Sequence, residues 1–253
     1  MKDFTFKTFQ FLFSAFQKQG YKFITFKDYC LNNIPTKFII MRHDVDRKAD
    51  FALTMAKLEN LLGIKSSYYF RCRKGIFEYE IISKISSLEH EIGYHYETLA
   101  KTGGDHSKAI EMFEFELKNL RNITDIKTIC AHGSPLSKWD SKKLWERYNF
   151  EDFGILGEPN YTLNFNEVLY LTDTGRRWNG ERVSVRDKVN SKYSYSFSST
   201  FDIINALYNN DLPFKLMINV HPHRWTDRLL PWLKELFWQN TKNIGKHVLV
   251  KVN

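Results

Sequence analysis

Short apolar runs alternate with segments of helical period along most of this chain, and this alternation limits the possible folds more than any other feature. The runs predict buried strands over residues 37–41, 67–70, 91–94, 127–131, 153–156, 168–171, 214–220 and 246–252. Apolar residues spaced by three and four predict helices over 51–62, 79–88, 106–120, 140–148, 201–208 and 231–239. Strands separated by helices pair in parallel through right-handed crossovers, so the chain is expected to be an α/β protein.

Seven or eight such units in one chain predict a parallel barrel, complete or distorted. No linker rich in Gly, Pro or Ser divides the 253 residues, so we expect one barrel domain over 1–253. Residues 1–35 are expected to form a helical extension packed on that barrel. The segment 175–199 is polar and aromatic without a period, which predicts a long loop of the kind that is often functional.

Composition and charge exclude several classes of protein. The apolar stretches are too short for a membrane span, and no signal peptide is recognisable. Three widely spaced cysteines are typical of reduced thiols, so a cytoplasmic location is expected. The net charge of +8 is compatible with anionic partners, but an ordinary basic surface is the favoured explanation. No RNA- or DNA-binding motif is visible, so nucleic acid is not an expected partner.

Side chains that bind metals or transfer protons follow five of the predicted strands. They occur in the segments 42–46, 94–97, 131–135, 172–178 and 221–225. Each segment alone has an ordinary structural explanation, such as a helix cap, a tight turn or a solvated loop. Because active sites of parallel barrels lie at the carboxyl ends of the strands, their joint placement predicts a functional site there.

Alternation along an extended chain indicates which of these side chains share a side. Residues two apart point the same way. Three pairs have this spacing: Asp44 with Asp46, His95 with Glu97, and His221 with His223. Both aspartates are therefore expected at the barrel mouth, while His43 faces the helices. Carboxylate and imidazole ligands together suit Zn²⁺ or another divalent transition metal better than Mg²⁺ or Ca²⁺.

Three of the segments resemble motifs of the NodB-type polysaccharide deacetylases, carbohydrate esterase family 4. Residues 42–46 (Arg-His-Asp-Val-Asp) match the first motif, and residues 89–95 (Glu-His-Glu-Ile-Gly-Tyr-His) match the phrase that opens the second. His221, after an apolar strand, matches the last motif. The resemblance covers residues 35–225 and implies a distorted (β/α)7 barrel.

The chain departs from the family pattern at three points. The second histidine of the family's His-x-x-x-His motif would be residue 99, which is Leu99. Val45 separates the paired aspartates, and the third motif is matched only loosely, by residues 132–135. The usual metal triad is therefore incomplete: either His132, Glu97 or His223 supplies the third ligand, or the site has lost its metal altogether.

The resemblance implies a role for each matching residue. Asp46 and His95 would hold a divalent metal, most simply zinc. Among the candidates for the third ligand, which the resemblance does not supply, we select His132. Asp44 would be the general base that takes a proton from water. His221 would be the general acid that returns a proton to the leaving amine.

Other residues of the predicted loops suit substrate binding. Arg176, Arg177 and Trp178 are expected to hold a phosphate or acidic sugar and to stack on a sugar ring. His223 is expected to contact the substrate beside His221.

The resemblance implies a metal-dependent deacetylase that removes an N- or O-acetyl group from a carbohydrate. The expected substrate is a nucleotide- or lipid-linked sugar of surface polysaccharide biosynthesis. Two alternatives remain. One is another metal-dependent hydrolase on the same barrel, with His221 and His223 as the metal pair. The other is a non-catalytic barrel that binds a glycan or a protein, an alternative that Leu99 supports.

Overall fold

A computed structural model describes residues 2–178 and 188–252 of the chain. Residues 179–187 of the predicted loop 175–199 lie outside the described residues. The remainder of that segment contains neither helix nor strand, as predicted.

Seven parallel strands form one curled sheet. They are β1 (Lys22–Ile24), β2 (Phe38–Val45), β3 (Ser67–Phe70), β4 (Glu91–Tyr96), β5 (Ile129–Ala131), β6 (Leu169–Thr172) and β7 (Lys215–Val220). The order across the sheet is β5-β4-β3-β2-β7-β6, and β1 pairs with β2 beside this path. Every strand pair is parallel. The predicted α/β class is confirmed as a distorted barrel whose strand path has β5 and β6 at its ends.

Nine helices cover this sheet in the described part of the chain. They are α1 (Phe6–Lys18), α2 (Phe26–Cys30), α3 (Ala49–Leu61), α4 (Tyr79–Ser87), α5 (Thr98–Lys101), α6 (His106–Arg121), α7 (Pro159–Thr162), α8 (Thr200–Tyr208) and α9 (Leu229–Val252). Short 3₁₀ turns occupy Ser141–Glu146, Phe150–Phe153 and Pro222–Arg224. Among the described residues there is no helix with the length and apolar character that a membrane crossing requires.

The predicted patterns form the core for identifiable reasons. The Asp105 side chain accepts a hydrogen bond from the Lys108 amide and caps α6, whose apolar stripe includes buried Phe113 and Leu117. All eight residues of β2 are buried, as expected for a strand covered on both faces.

The first 35 residues do more than pack on the sheet. Four apolar side chains of α1 are fully buried: Phe9, Leu12, Phe13 and Phe16. In addition, β1 extends the sheet, with Lys22 in register with Phe38.

Two predicted strands are wrong. Phe153 ends a 3₁₀ turn, residues 154–156 form no strand, and the next residue, Gly157, forms an isolated bridge to Thr128. Residues 246–252 belong to α9 rather than to a closing strand. A short apolar run fits either a buried strand or a helix by periodicity alone, and here the run continues an existing helix. The helix predicted over 140–148 is a 3₁₀ turn.

Candidate active site

Asp44 lies at the carboxyl end of β2 and is held by three hydrogen bonds. Arg42 donates from Nε to Oδ1 at 2.8 Å and from Nη2 to Oδ2 at 2.6 Å. Asn219 of β7 donates from Nδ2 to Oδ2 at 3.0 Å. Burial acts to raise the pKa of Asp44, but Arg42, His95 and His221 together outweigh it and hold this pKa well below its usual range. The carboxylate is therefore ionised and fixed in direction.

Asp46, directly after β2, faces three histidines. Its Oδ1 atom lies 3.5 Å from Nε2 of His95 and 3.5 Å from Nε2 of His132, and its Oδ2 atom lies 3.7 Å from Nε2 of His221. Oδ1 is buried and accepts no hydrogen bond from a described residue. Burial acts to raise the pKa of Asp46, but the neighbouring histidines, His132 foremost, hold it well below its usual range. A buried carboxylate oxygen without a donor, between two imidazole nitrogens, is typical of a metal ligand.

The ring of His95 is oriented by a backbone carbonyl of the neighbouring strand β5. Its Nδ1 atom lies 2.9 Å from the carbonyl oxygen of Cys130 on β5, and because a carbonyl only accepts, Nδ1 must donate. In the neutral ring, Nε2 therefore carries a lone pair that is directed at Asp46. Backbone support of this kind is common behind metal-binding histidines.

His132 lies beside a carboxylate and beside Ser134, whose Oγ atom is 3.0 Å from its Nδ1 atom. Its Nδ1 atom lies 2.9 Å from Oε2 of Glu97, which follows β4. Arg71, after β3, donates from Nη2 to both oxygens of Glu97 at 2.7 Å. Burial acts to raise the pKa of Glu97, but His132 and Arg71 lower it well below its usual range. Glu97 therefore supports His132 and is not itself aimed at Asp46.

His221, directly after β7, is paired with Asp173, directly after β6. Nδ1 of His221 lies 2.7 Å from Oδ1 of Asp173. Asp173 also accepts from Nη1 of Arg224 at 2.7 Å and from Nε1 of Trp225 at 2.8 Å. Burial acts to raise the pKa of Asp173, but the Arg224 and His221 charges lower it to about 2. The pairing leaves Nε2 of His221 directed at the site.

The sequence interpretation missed Asp173 together with the cations and amides that hold the acidic groups. Asp173 belongs to the segment 172–178 after the predicted strand 168–171 but was assigned no role, and its acidic side chain near a strand end was the signal that could have identified it. No such signal marked Arg71 or Asn219, whose partners lie on other strands.

A cavity of about 660 Å³ opens at this end of the sheet. Six predicted site residues line it: Asp44, Asp46, His95, His132, His221 and His223. The structure therefore brings together the residues assigned to base, acid and metal, and the alternation argument placed them correctly. The side chain of His43 points the other way, with Nε2 2.7 Å from Oε1 of Glu59 on α3. A cavity of this size suits a small-molecule ligand.

His223 lines the cavity and lies close to α9. Its Nε2 atom lies 4.0 Å from Oε1 of Glu235. Burial and the nearby charge of Arg224 hold the pKa of His223 well below its usual range, so the ring is neutral. A neutral imidazole suits hydrogen bonding with a substrate.

The structure places Arg176 and Trp178 away from the cavity. The Arg176 guanidinium lies 4.4 Å from the centroid of the Trp232 ring and donates to the Trp232 carbonyl. Trp178 is buried and donates from Nε1 to Oγ1 of Thr200. Arg177 is exposed and does not line the cavity. Arg176 and Trp178 thus pack the loop after β6 against α9 and α8.

Position 99 belongs to the core. Leu99 on α5 is only 1% exposed and lies in an apolar cluster, away from the cavity. The fold therefore offers no ligand position at this residue, and the second imidazole beside Asp46 comes from the end of β5 instead.

A second group of ligand types lies close by. Ligand atoms of Asp44, His95 and Cys130 come within 4.8 Å of one another. Both Asp44 oxygens, however, already accept from Arg42, while the Oδ1 atom of Asp46 has no donor among the described residues. For this reason we favour Asp46, with its two imidazoles, as the metal-binding group.

Known proteins resemble this chain in structure but not detectably in sequence. No protein-family model matches the sequence, and no curated protein matches it either. Among solved structures, the chain is similar to a CE4 family pseudoenzyme from Bacillus anthracis, with a TM-score of 0.46 and 12% sequence identity. The match covers 83% of this chain and 62% of the pseudoenzyme, so the chain spans less than two thirds of that protein's length.

Two mutants of the same pseudoenzyme, one with restored enzymatic activity, match at a TM-score of 0.45 and 12% identity. These matches cover 83% of this chain and 63% and 64% of the mutants.

Proposed function

We propose that this chain is a metal-dependent hydrolase that removes an acetyl group from a carbohydrate. The observation that carries the proposal is the position of Asp46 Oδ1. This buried atom has no hydrogen-bond donor among the described residues and lies 3.5 Å from the Nε2 atoms of both His95 and His132. One carboxylate and two imidazoles are an established ligand set for catalytic zinc. These three residues would hold the metal.

The carboxylate of Asp44 is the proposed general base. A bound divalent metal lowers the pKa of water to near 7 and polarises an acyl oxygen. Asp44 lies beside the ligands, with Oδ2 3.7 Å from Nε2 of His95. Because Arg42 and Asn219 keep it ionised and oriented, Asp44 accepts a proton from the water that attacks the acyl carbon.

His221 is the proposed general acid. Asp173 fixes the ring through Nδ1, so Nε2 faces the cavity and is the atom that would give the proton. When the bond between the acyl carbon and nitrogen breaks, His221 gives a proton to the departing amine. Asp173 acts through His221 and is therefore a positioning residue.

The charge of the cavity favours an anionic substrate. Arg42, Arg71 and Arg224 are each paired with a carboxylate. Arg47 and Arg73 also line the cavity, and neither side chain has a hydrogen bond or ion pair with a described residue. These two guanidiniums are available to a phosphate, which supports a sugar linked to a nucleotide or a lipid.

The proposal is tested by measuring acetate release from N-acetyl and O-acetyl sugars, each with and without a phosphate. We expect release from a phosphorylated sugar, and we expect Asp44→Asn to lower the rate at least about 100-fold. Asp50→Asn, an exposed aspartate on α3, is the matched control and should keep the wild-type rate.

An unchanged rate in Asp44→Asn would reject Asp44 as the base. Metal binding without acetate release from any of these sugars would instead favour a non-catalytic barrel that binds glycans.

A further inference from the structure

Helix α9 presents a polar face to the body of the protein. Glu235, Gln239 and Asn243 follow one another at intervals of four residues and are all buried. Asn243 donates to the carbonyl oxygen of Gly175 at 2.9 Å, and Gln239 donates to Oδ1 of Asn243 at 3.0 Å. Gln239 also lines the cavity of the candidate site. The side of α9 that packs inward thus carries three buried polar side chains beside Trp232, which contacts Arg176.

The opposite side of α9 is apolar and faces solvent. Leu230, Phe237 and Trp238 are 71%, 69% and 51% exposed. Leu230 lies seven residues before Phe237 and eight before Trp238, so the three form a broad stripe on the solvent side of α9, which also carries Lys234. None of the described elements covers this stripe. A helix with its apolar side outward is the reverse of the usual arrangement and marks an interaction surface.

The charges around this surface indicate the kind of partner. Lys234 is exposed on the same side of α9, and Lys242 lies beside the cavity mouth. Arg47 and Arg73 line the same mouth, and the chain carries a net charge of +8. A second copy of this chain would bring like charges together, whereas an anionic lipid surface complements them. Helices with Trp, Phe and Leu on one side and flanking lysines lie in membrane interfaces.

We propose that α9 docks the protein on an anionic membrane surface. Leu230, Phe237 and Trp238 enter the boundary between headgroups and acyl chains, while Lys234 contacts anionic headgroups. Because Gln239 of the same helix lines the cavity, docking brings the cavity mouth close to the lipid plane. This inference goes beyond the proposed hydrolysis and does not require it.

The experiment is co-sedimentation of the wild-type chain with vesicles of phosphatidylcholine mixed with phosphatidylglycerol. We expect binding to the mixed vesicles, much weaker binding to pure phosphatidylcholine, and weakening by salt. The double variant Phe237→Ser, Trp238→Ser should bind at least about tenfold more weakly. Phe115→Ser is the matched control, since Phe115 on α6 is 66% exposed.

Both substituted residues are exposed, and an unchanged thermal unfolding transition confirms that the double variant folds. Equal binding by the double variant and the wild type would overturn the proposal. So would a wild type that ignores vesicles but forms a dimer that the double variant cannot form. Repeating the measurement with Asp46→Ala separates the two proposals, because membrane binding should persist in a variant that has lost hydrolysis.

Discussion

The Nδ1 atom of His221 lies 2.7 Å from Oδ1 of Asp173, so the carboxyl ends of two neighbouring strands are joined by a buried carboxylate–imidazole pair. Asp173 is fully buried, and it also accepts from Arg224 and Trp225. The direction of the His221 ring therefore depends on one side chain that does not itself line the cavity.

Replacing Asp173 by Asn tests this dependence. The amide removes the negative charge that pairs with Nδ1 of His221, so we expect kcat for acetate release to fall about 100-fold. KM and metal content should not change, because Asp173 contacts neither the cavity nor the three proposed ligands. Steady-state kinetics measures kcat and KM separately and so checks both expectations. A fall in kcat accompanied by loss of metal would instead indicate general damage to the site.

Replacing Leu99 by His tests whether residue 99 can supply a metal ligand, as the second histidine of the His-x-x-x-His motif would. Leu99 is buried in an apolar cluster, so the polar ring should destabilise the protein by roughly 3 kcal/mol. Metal affinity should stay at the wild-type level. Denaturant unfolding and metal titration measure the two quantities. Tighter metal binding in Leu99→His would show that position 99 still reaches the site.

His90 gives the fold a predictable response to acid. Its Nδ1 atom accepts from the Ser66 amide, and Nε2 donates to the Ala56 carbonyl oxygen, so the buried ring is neutral. Burial lowers the pKa of His90 below its ordinary 6.5, although Glu59 opposes this, while His43 and Lys65 reinforce it. The unfolded chain then binds a proton that the folded chain does not, so stability falls as the pH drops below about 6.5.

The variant His90→Gln isolates this contribution. We expect a smaller unfolding free energy at pH 7 and a flatter decline toward pH 5 than in the wild type. Urea unfolding at several pH values measures both. The same slope in the two proteins would show that His90 does not take up the proton.

Arg73→Gln tests the preference for anionic substrates. Arg73→Gln removes from the cavity a guanidinium that pairs with no described residue. KM for a phosphorylated sugar should therefore rise about tenfold. KM for the uncharged sugar should not change. The control is Lys74→Gln, since Lys74 is exposed and does not line the cavity. An equal effect on both sugars would count against a phosphate contact at Arg73.

Local pattern was sufficient to predict much of the fold and the centre of the site. Strand alternation fixes which side chains face the mouth, so Asp44, Asp46 and His221 lie where the sequence predicted. His132 could be proposed for the same reason, since it directly follows β5. These inferences depend only on strand direction and on residues close together in the chain.

Features that depend on packing between distant elements were not predictable in this way. Arg176 and Trp178 are drawn inward by Trp232 and Thr200, which follow much later in the chain. The pairing of Arg71 with Glu97 joins two strand ends that no local pattern relates. The run 246–252 has the composition of a strand, yet it continues α9.

The most direct test of the account is the metal content of the purified protein, measured by elemental analysis with and without reloading of divalent ions. We predict near-stoichiometric zinc or another transition metal in the wild type, lost in His132→Ala and in the double variant Asp46→Ala, His95→Ala. Cys130→Ser should retain the metal, because Cys130 belongs to the competing group. No metal in the wild type after reloading, or a metal that Cys130→Ser loses and His132→Ala keeps, would contradict the proposed centre.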